Sequence, residues 1–261
     1  MKINKILAGI AMAGLMYAGF AYADTGLNTT QKKQVEDAVR DYIIKNLEVL
    51  VQSLQSFQQK QMEQTQKTFV KIQEAAPKYA DRLFHQANDP IAGNPNGTIT
   101  LVEFSDYQCP HCVDMTQVVD NLIKANPNLR VVLKEFPIRG PMSETAAKAA
   151  LASAKQNKYF VFHNALMNTK VQPLTDAAIY DIAKSVGLNV DQLKTDMKSN
   201  DVGKQIKDNY ELAQKLQLMF TPVFFIAKTS INTNSSPDEV IFIPGAMSED
   251  KLNEAIQKLG S

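Results

Sequence analysis

Cysteine is nearly missing from this chain: there are two in 261 residues, both inside "SDYQCPHCVDM" (105–115) with two residues between them. So small a number excludes a disulfide framework. A bridge between the two would close a two-residue loop and constrain little of the unfolded chain, so a structural staple is a weak reading. Histidine is scarce too: His111 lies between the cysteines and only His85 and His163 remain, in helical stretches, which leaves a four-ligand structural zinc site without ligands. A CxxCH haem attachment fails because Val113 follows the second cysteine. Charge of one sign is lacking: 28 Lys and Arg against 27 Asp and Glu give +1, no hint of nucleic acid or an anionic membrane as partner. There is no phosphate loop, no serine nucleophile elbow and no aromatic-basic surface. What remains is the Cys-x-x-Cys spacing itself, the redox arrangement.

The chain opens MKINKILAGIAMAGLMYAGFAYAD. Lys2 and Lys5 precede an apolar run from about Ile6 to Phe20, which ends in Ala21-Tyr22-Ala23. This order predicts a secretory signal peptide cleaved after Ala23, and the run is shorter than the roughly 20 residues a membrane span needs. The leader carries two lysines and no acid, so its removal takes the formal charge from +1 to −1. Nothing later is apolar enough over enough length to span, so the mature protein is expected to be soluble outside the cytoplasm.

From Thr29 to about Ala76 neither Gly nor Pro interrupts a helical pattern, with Thr29 or Thr30 as its expected cap. Val35, Ala38, Val39, Tyr42, Ile43 and Leu47 hold helical spacing, Leu50, Leu54 and Phe57 continue it, and Met62, Phe69 and Ile72 resume it after a slip. So narrow a stripe on so long a helix has no core of its own to cover, which predicts an oligomerisation arm over 24–76, a homo-oligomer with a dimer ahead of a trimer. Folding back on the rest of the chain is the alternative. Pro77 ends the arm, and 77–97, with Pro90, Gly93, Pro95 and Gly97 in succession, reads as a connector.

The second domain is expected over 98–261. "TITLVEFS" (98–105) and "LRVVLKEF" (129–136) read as strands around a helix that starts after the cysteines, a right-handed βαβ unit. Residues from about 141 to 217 are almost wholly helical, and "TPVFFIA" (221–227), "EVIFI" (239–243) and the helix 248–259 close the chain. The order βαβ, helical insertion, ββα predicts an α/β chain of thioredoxin-like fold.

A cysteine where a strand meets a helix places its sulfur near free backbone N–H groups, which favour thiolate. Pro110 suits the first helical position, and His111 adds a donor and, when protonated, a positive charge. Cys109 is therefore the expected attacking and substrate-linked sulfur and Cys112 the resolving one. Copper(I) binding by the same two sulfurs is the competing chemistry, although the seven methionines after the leader form no Met-rich tract.

"LVEFSDYQCPHC", "FTPVFFI" and the helical insertion resemble the DsbA-like thiol:disulfide oxidoreductases of the bacterial periplasm, over roughly 97–261. The leading helix with "VRDYIIKNLEVL" (39–50) resembles the arm of the ScsC-like branch, which commonly has proline where this chain has Leu47. The resemblance implies a redox-active disulfide Cys109–Cys112 with no further cofactor and no metal. It implies a substrate-binding cis-proline loop at Thr221-Pro222, Thr being the isomerase-like choice before that proline. It implies that Glu103, paired with Lys134 on the adjacent strand, handles the proton of Cys112. Implied partners are unfolded or misfolded secreted proteins and a membrane redox protein of the DsbB or DsbD type.

Overall fold

The computed structural model describes residues 26–171 and 173–260, so the leader expected over 1–23 lies outside the described residues. The chain divides into two units, one up to Lys60 and one from Gln61.

In the first unit, helix α1 (Thr29–Lys45) starts behind Asn28 rather than Thr29 or Thr30. Asn28 Oδ1 accepts from the Gln31 N–H at 2.9 Å and Gln31 Oε1 accepts from the Asn28 N–H at 3.0 Å, which satisfies two donors reciprocally. The helix does not run unbroken to Ala76. Asn46 leaves it at φ −130°, its side chain donating back to the Tyr42 carbonyl at 2.8 Å. Asparagine competes for helical backbone groups in this way, so a break needs neither Gly nor Pro. Helix α2 (Leu47–Ala75) follows and continues into the second unit. The apolar stripe stays in water within this unit: Tyr42, Leu54 and Phe57 are 63%, 59% and 60% exposed.

The second unit is built on a five-stranded sheet: β1 (Ile91–Gly93), β2 (Ile99–Ser105), β3 (Leu129–Glu135), β4 (Val223–Lys228) and β5 (Val240–Pro244), in the order β1-β3-β2-β4-β5. Only β2 and β3 run parallel, joined by helix α4 (Pro110–Ala125); the other pairings are antiparallel. Between β3 and β4 lie the five inserted helices α5 (Pro141–Ser153), α6 (Tyr159–Met167), α7 (Asp176–Ser185), α8 (Val190–Asp196) and α9 (Asn200–Lys215), and α10 (Glu249–Gly260) ends the chain. This is a mixed α/β thioredoxin-like fold. No helix among the described residues is long and apolar enough to cross a membrane.

Successive strand residues point to opposite faces, and the sheet is buried on both. Leu101, Val131, Leu133, Phe224 and Ile226 face α4, α10 and the insertion. Val102, Phe104, Val132, Val223 and Phe225 face a second core that also holds Ile72, Ala76, Ala80, Leu83 and Phe84. That second core moves two expected boundaries. Phe69 packs edge-on against Phe220 and Phe242, with ring centroids 6.3 and 5.7 Å apart, so residues 61–76 belong to the sheet-bearing unit rather than to the arm. Residues 77–97 are not a loose connector: Ala76–Tyr79 forms a 3₁₀ turn, α3 (Ala80–Phe84) fills the core, and β1 extends the sheet. The Pro and Gly residues that read as a linker are turns between packed pieces.

Candidate active site

Cys109 is the last extended residue before α4, at φ −88° and ψ 114°, and Pro110 takes the first helical position. The Cys109 carbonyl accepts the first helical bonds, from the N–H groups of Cys112 at 3.0 Å and Val113 at 3.1 Å. Both cysteines are buried and both thiols are free. Pro110 and His111 face solvent, and the His111 ring sits 4.0 Å from the Asp114 carboxylate at the surface.

Opposite them runs the loop into β4, where the Thr221–Pro222 peptide is cis. The Cys109 thiol donates to the Thr221 carbonyl oxygen at 3.3 Å. Gly245 N–H donates to the Pro222 carbonyl at 3.0 Å, which fastens the loop to the end of β5.

A third segment is tied to the same point by Asp106. Its carboxylate accepts from Gln108 N–H at 2.8 Å, Arg139 N–H at 2.9 Å and Ser143 Oγ at 2.6 Å. Arg139 is thus held by its backbone beside the cysteines while its side chain is exposed. Gly140, at φ 102°, a value that suits glycine, then turns the chain into Pro141 and α5.

The electrostatics separate the two sulfurs. The Cys109 thiol is lowered to about 5, chiefly by a hydrogen bond from Cys112; burial opposes this, while the Thr221 hydroxyl, as distinct from its carbonyl, and the charge of Arg139 add to the lowering. Cys112 is raised, first by its bond to Cys109, then by burial and by Glu103. One sulfur is therefore poised as thiolate and the other keeps its proton.

Glu103 lies six residues before Cys109 on β2, with its carboxyl buried and raised to about 8 by burial first, then by Glu135 and Cys109. It opens on a cavity of about 20 Å³ whose walls include His163, Asp120 and Asn164. Lys134 is not beside it. The strands pair Glu103 with Leu133 and Phe104 with Lys134, so Lys134 points to the opposite face. There it makes a very short contact with the Asp89 carboxylate and donates to the Arg82 carbonyl at 2.5 Å. The expected Glu103–Lys134 pair is therefore corrected: Lys134 anchors residues 82–89 to the far side of the sheet.

Glu135 occupies the side of the sheet assigned to Lys134. Its Oε1 accepts from Tyr107 Oη at 2.8 Å and from Tyr159 Oη at 2.5 Å, and Tyr107 Oη lies 2.8 Å from His163 Nδ1. Burial raises Glu135 to about 8, against the pull of the two tyrosines, and lowers His163 to about 4. Counting by two from the Glu103–Leu133 partners selects Glu135 over Lys134. His163, which reads from sequence as a lone helical histidine, carries no such signal. Among the described residues no group of three or more His, Cys, Asp or Glu side chains is arranged to hold a metal ion.

Comparison with known proteins gives two family matches. The family described as DSBA-like thioredoxin domain matches residues 100–257, and the one described as copper resistance protein ScsC N-terminal domain matches 31–64. The Na(+)/H(+) antiporter NhaA 1 of Mycobacterium sp. (strain KMS) is 30% identical over 143 residues, which cover 53% of this chain and 23% of that protein. The chain thus spans about a quarter of the length of the first curated relatives it matches. A solved thioredoxin-like oxidoreductase from Silicibacter pomeroyi DSS-3 is 38% identical, with a TM-score of 0.61 over 68% of this chain and 95% of that one. Proteus mirabilis ScsC in a transitional conformation is 27% identical, with a TM-score of 0.60 over 91% of this chain and 98% of that one.

Proposed function

The chain belongs to the family of DSBA-like thioredoxin domains, and from that premise we propose that it is an exported protein thiol:disulfide oxidoreductase that forms or isomerises disulfides in secreted proteins through Cys109 and Cys112. The observation that carries this reading is the Cys109 thiol at the start of α4, bonded to the Thr221 carbonyl ahead of the cis proline. A substrate segment lying along Thr221-Pro222 would have the Cys109 sulfur beside it.

In the oxidising direction a substrate thiolate attacks Sγ of Cys109 in the Cys109–Cys112 disulfide. The bond between the two cysteines breaks, Cys112 leaves with the electron pair, and a proton from Glu103 makes it a thiol. The substrate's second thiolate then attacks its own sulfur in the mixed disulfide and expels Cys109 as thiolate. Two electrons pass from substrate to enzyme and the substrate gains one disulfide. Isomerisation starts from the reduced enzyme, Cys109 attacking a wrong disulfide and being expelled when the substrate rearranges.

The exposed stripe on α1 and the first part of α2 supports self-association of the arm, as a dimer or a trimer, which would present several active sites to one misfolded chain. The leader supports a periplasmic location and a membrane redox protein of the DsbB or DsbD type as the partner that resets the cysteines.

The test is reactivation of a reduced, unfolded protein by the full chain with glutathione disulfide as terminal oxidant, alongside reactivation of a scrambled substrate by the reduced chain. Acceleration in either assay, lost in Cys109→Ala, supports the reading. No acceleration in both assays overturns it, and activity that survives Cys109→Ala does the same.

A further inference from the structure

The buried group around Glu135 is left unused by the exchange chemistry. Tyr107 sits two residues before Cys109, Tyr159 and His163 face it from α6, and Asn209 of α9 donates to the Glu135 carbonyl oxygen at 3.1 Å. The charged groups acting on Glu103 are Glu135 and Cys109, and the one acting on Glu135 is Asp106. Among the described residues no lysine or arginine acts on Glu103 or Glu135, and Glu135 Oε2 is buried without a hydrogen-bond partner. Leaving a carboxyl in that position costs free energy that no structural pairing offsets.

The geometry admits two arrangements of hydrogens along the same heavy atoms. With Glu135 ionised, Tyr107 donates to Oε1 and accepts from the Nδ1–H of His163, whose Nε2 is bare. Let a proton arrive at Nε2: the Nδ1 proton passes to the Tyr107 oxygen and the Tyr107 proton passes to Glu135. Now Glu135 donates to Tyr107, and Tyr107 donates to Nδ1. Net, one proton has moved to Glu135 from the side of the ring where it enters, and Tyr107 and His163 are neutral before and after. His163 is also a wall of the cavity on which Glu103 opens, and that cavity, at about 20 Å³, has room for one water.

We propose that Glu135, Tyr107 and His163 form a proton relay ending at the cavity beside Glu103, so that Glu135 is a second store for the proton that Cys112 takes up on reduction and gives up on oxidation. Glu135, Tyr107 and His163 are on this view positioning residues that act through Glu103, and the proposal rests on the exchange chemistry assigned to Cys109 and Cys112. The depressed basicity of His163 fits a group that passes a proton without keeping it. Asp120 and Asn164, half-exposed in the same wall, give the cavity its way to solvent.

The test uses the full chain and two readouts. The first is infrared titration of the protonated-carboxyl absorption with the cysteines oxidised, in wild type, Glu103→Gln and Glu135→Gln. Coupled carboxyls require that each single variant move the remaining group's midpoint to lower pH, by about one unit for the loss of one close like charge. The second is the rate at which Cys112 closes a glutathione mixed disulfide held on Cys109, followed across pH and in heavy water. His163→Phe keeps the ring against Tyr159 and leaves Tyr107 bonded to Glu135; it should slow closure about tenfold, less than the loss of a direct proton donor or acceptor costs, and reduce the solvent isotope effect. Glu135→Gln, which still accepts from both tyrosines, should do the same and carries the second readout alone if His163→Phe does not fold. An unmoved carboxyl midpoint in both Gln variants overturns the proposal, as does closure with the wild-type pH profile. If the wild-type chain exchanges no disulfides, the proposed function falls, and the infrared titration still decides the coupling by itself.

Discussion

The Cys109 thiol lies 3.3 Å from the carbonyl oxygen of Thr221, a residue 112 positions away in the chain. The contact joins the start of α4 to the loop that leads into β4, so the Cys109 sulfur and that loop are held together beside one sheet. The Thr221–Pro222 peptide that carries this carbonyl is cis, and Asp106 ties in the backbone of Arg139 from a third segment.

The first prediction concerns which sulfur reacts. Alkylation of the reduced chain should inflect near pH 5 and label Cys109 alone, since Cys112 is raised. The causes at Cys109 give an order: Cys112→Ala should move the inflection up most, and Arg139→Ala by less, within about one pH unit for a charge at an exposed position. Equal labelling of both cysteines at pH 6 would contradict this.

Lys134 separates folding from chemistry. Its partner Asp89 has a side chain with 0% exposure, so Lys134→Met takes the paired cation from a buried carboxylate and leaves it only the Gln205 amide and the charge of Arg130, at a cost of about 3–5 kcal/mol. Because Lys134 is on the other side of the sheet, the alkylation profile of Cys109 should not move. A shifted profile with stability intact would restore Lys134 to the site.

The pH dependence of stability follows from the two buried glutamates. Glu103 and Glu135 each hold a proton up to about 8 in the folded chain, against 4.5 in the unfolded one. Between those values the folded state binds more protons, so stability is greatest below about pH 4.5 as far as these groups go, falls as pH rises, and levels off above 8. Urea unfolding of the oxidised protein at pH 5 and pH 8 should show the drop. Glu103→Gln should be more stable than wild type at pH 8, by on the order of a few kcal/mol, since each pH unit between the folded and unfolded midpoints is worth about 1.4 kcal/mol. At pH 5 the gain should be small. A flat wild-type profile would mean that neither carboxyl is held neutral.

Much of this site is legible along the chain. Cys109, its helix and β2 are adjacent in sequence, and the strand and insertion pattern needs only periodicity and the length of helical runs. What escapes reading is set by register and by contacts between distant segments. "VVLKEF" offers Lys134 and Glu135 side by side, and only the alignment of β3 with β2 decides which one shares a face with Glu103. Phe69 and Ile72 resume the stripe of the arm after a slip of register, and helical spacing alone does not mark them as core; the ring partners of Phe69, Phe220 and Phe242, lie 151 and 173 residues later. The break at Asn46 is a side-chain bond to the helix it ends, in a stretch where composition favours helix on both sides.

That reassignment of Phe69 and Ile72 makes a last prediction. A chain beginning at Gln61 keeps both residues and should fold as the full chain does, with the same alkylation profile at Cys109 and the mass of a monomer. A chain beginning at Ala76 loses Ile72, which is 3% exposed, and the Phe69 ring between Phe220 and Phe242. Removing a buried residue of this size costs about 2–5 kcal/mol, so the shorter chain should unfold at markedly lower urea or fail to fold. Comparing only the full chain with one cut near residue 76 would then mix loss of self-association with loss of core. The Gln61 chain separates them: if it is monomeric and well folded but no longer reactivates a scrambled substrate, the arm contributes to isomerisation through assembly. If it reactivates that substrate fully, the arm serves something else.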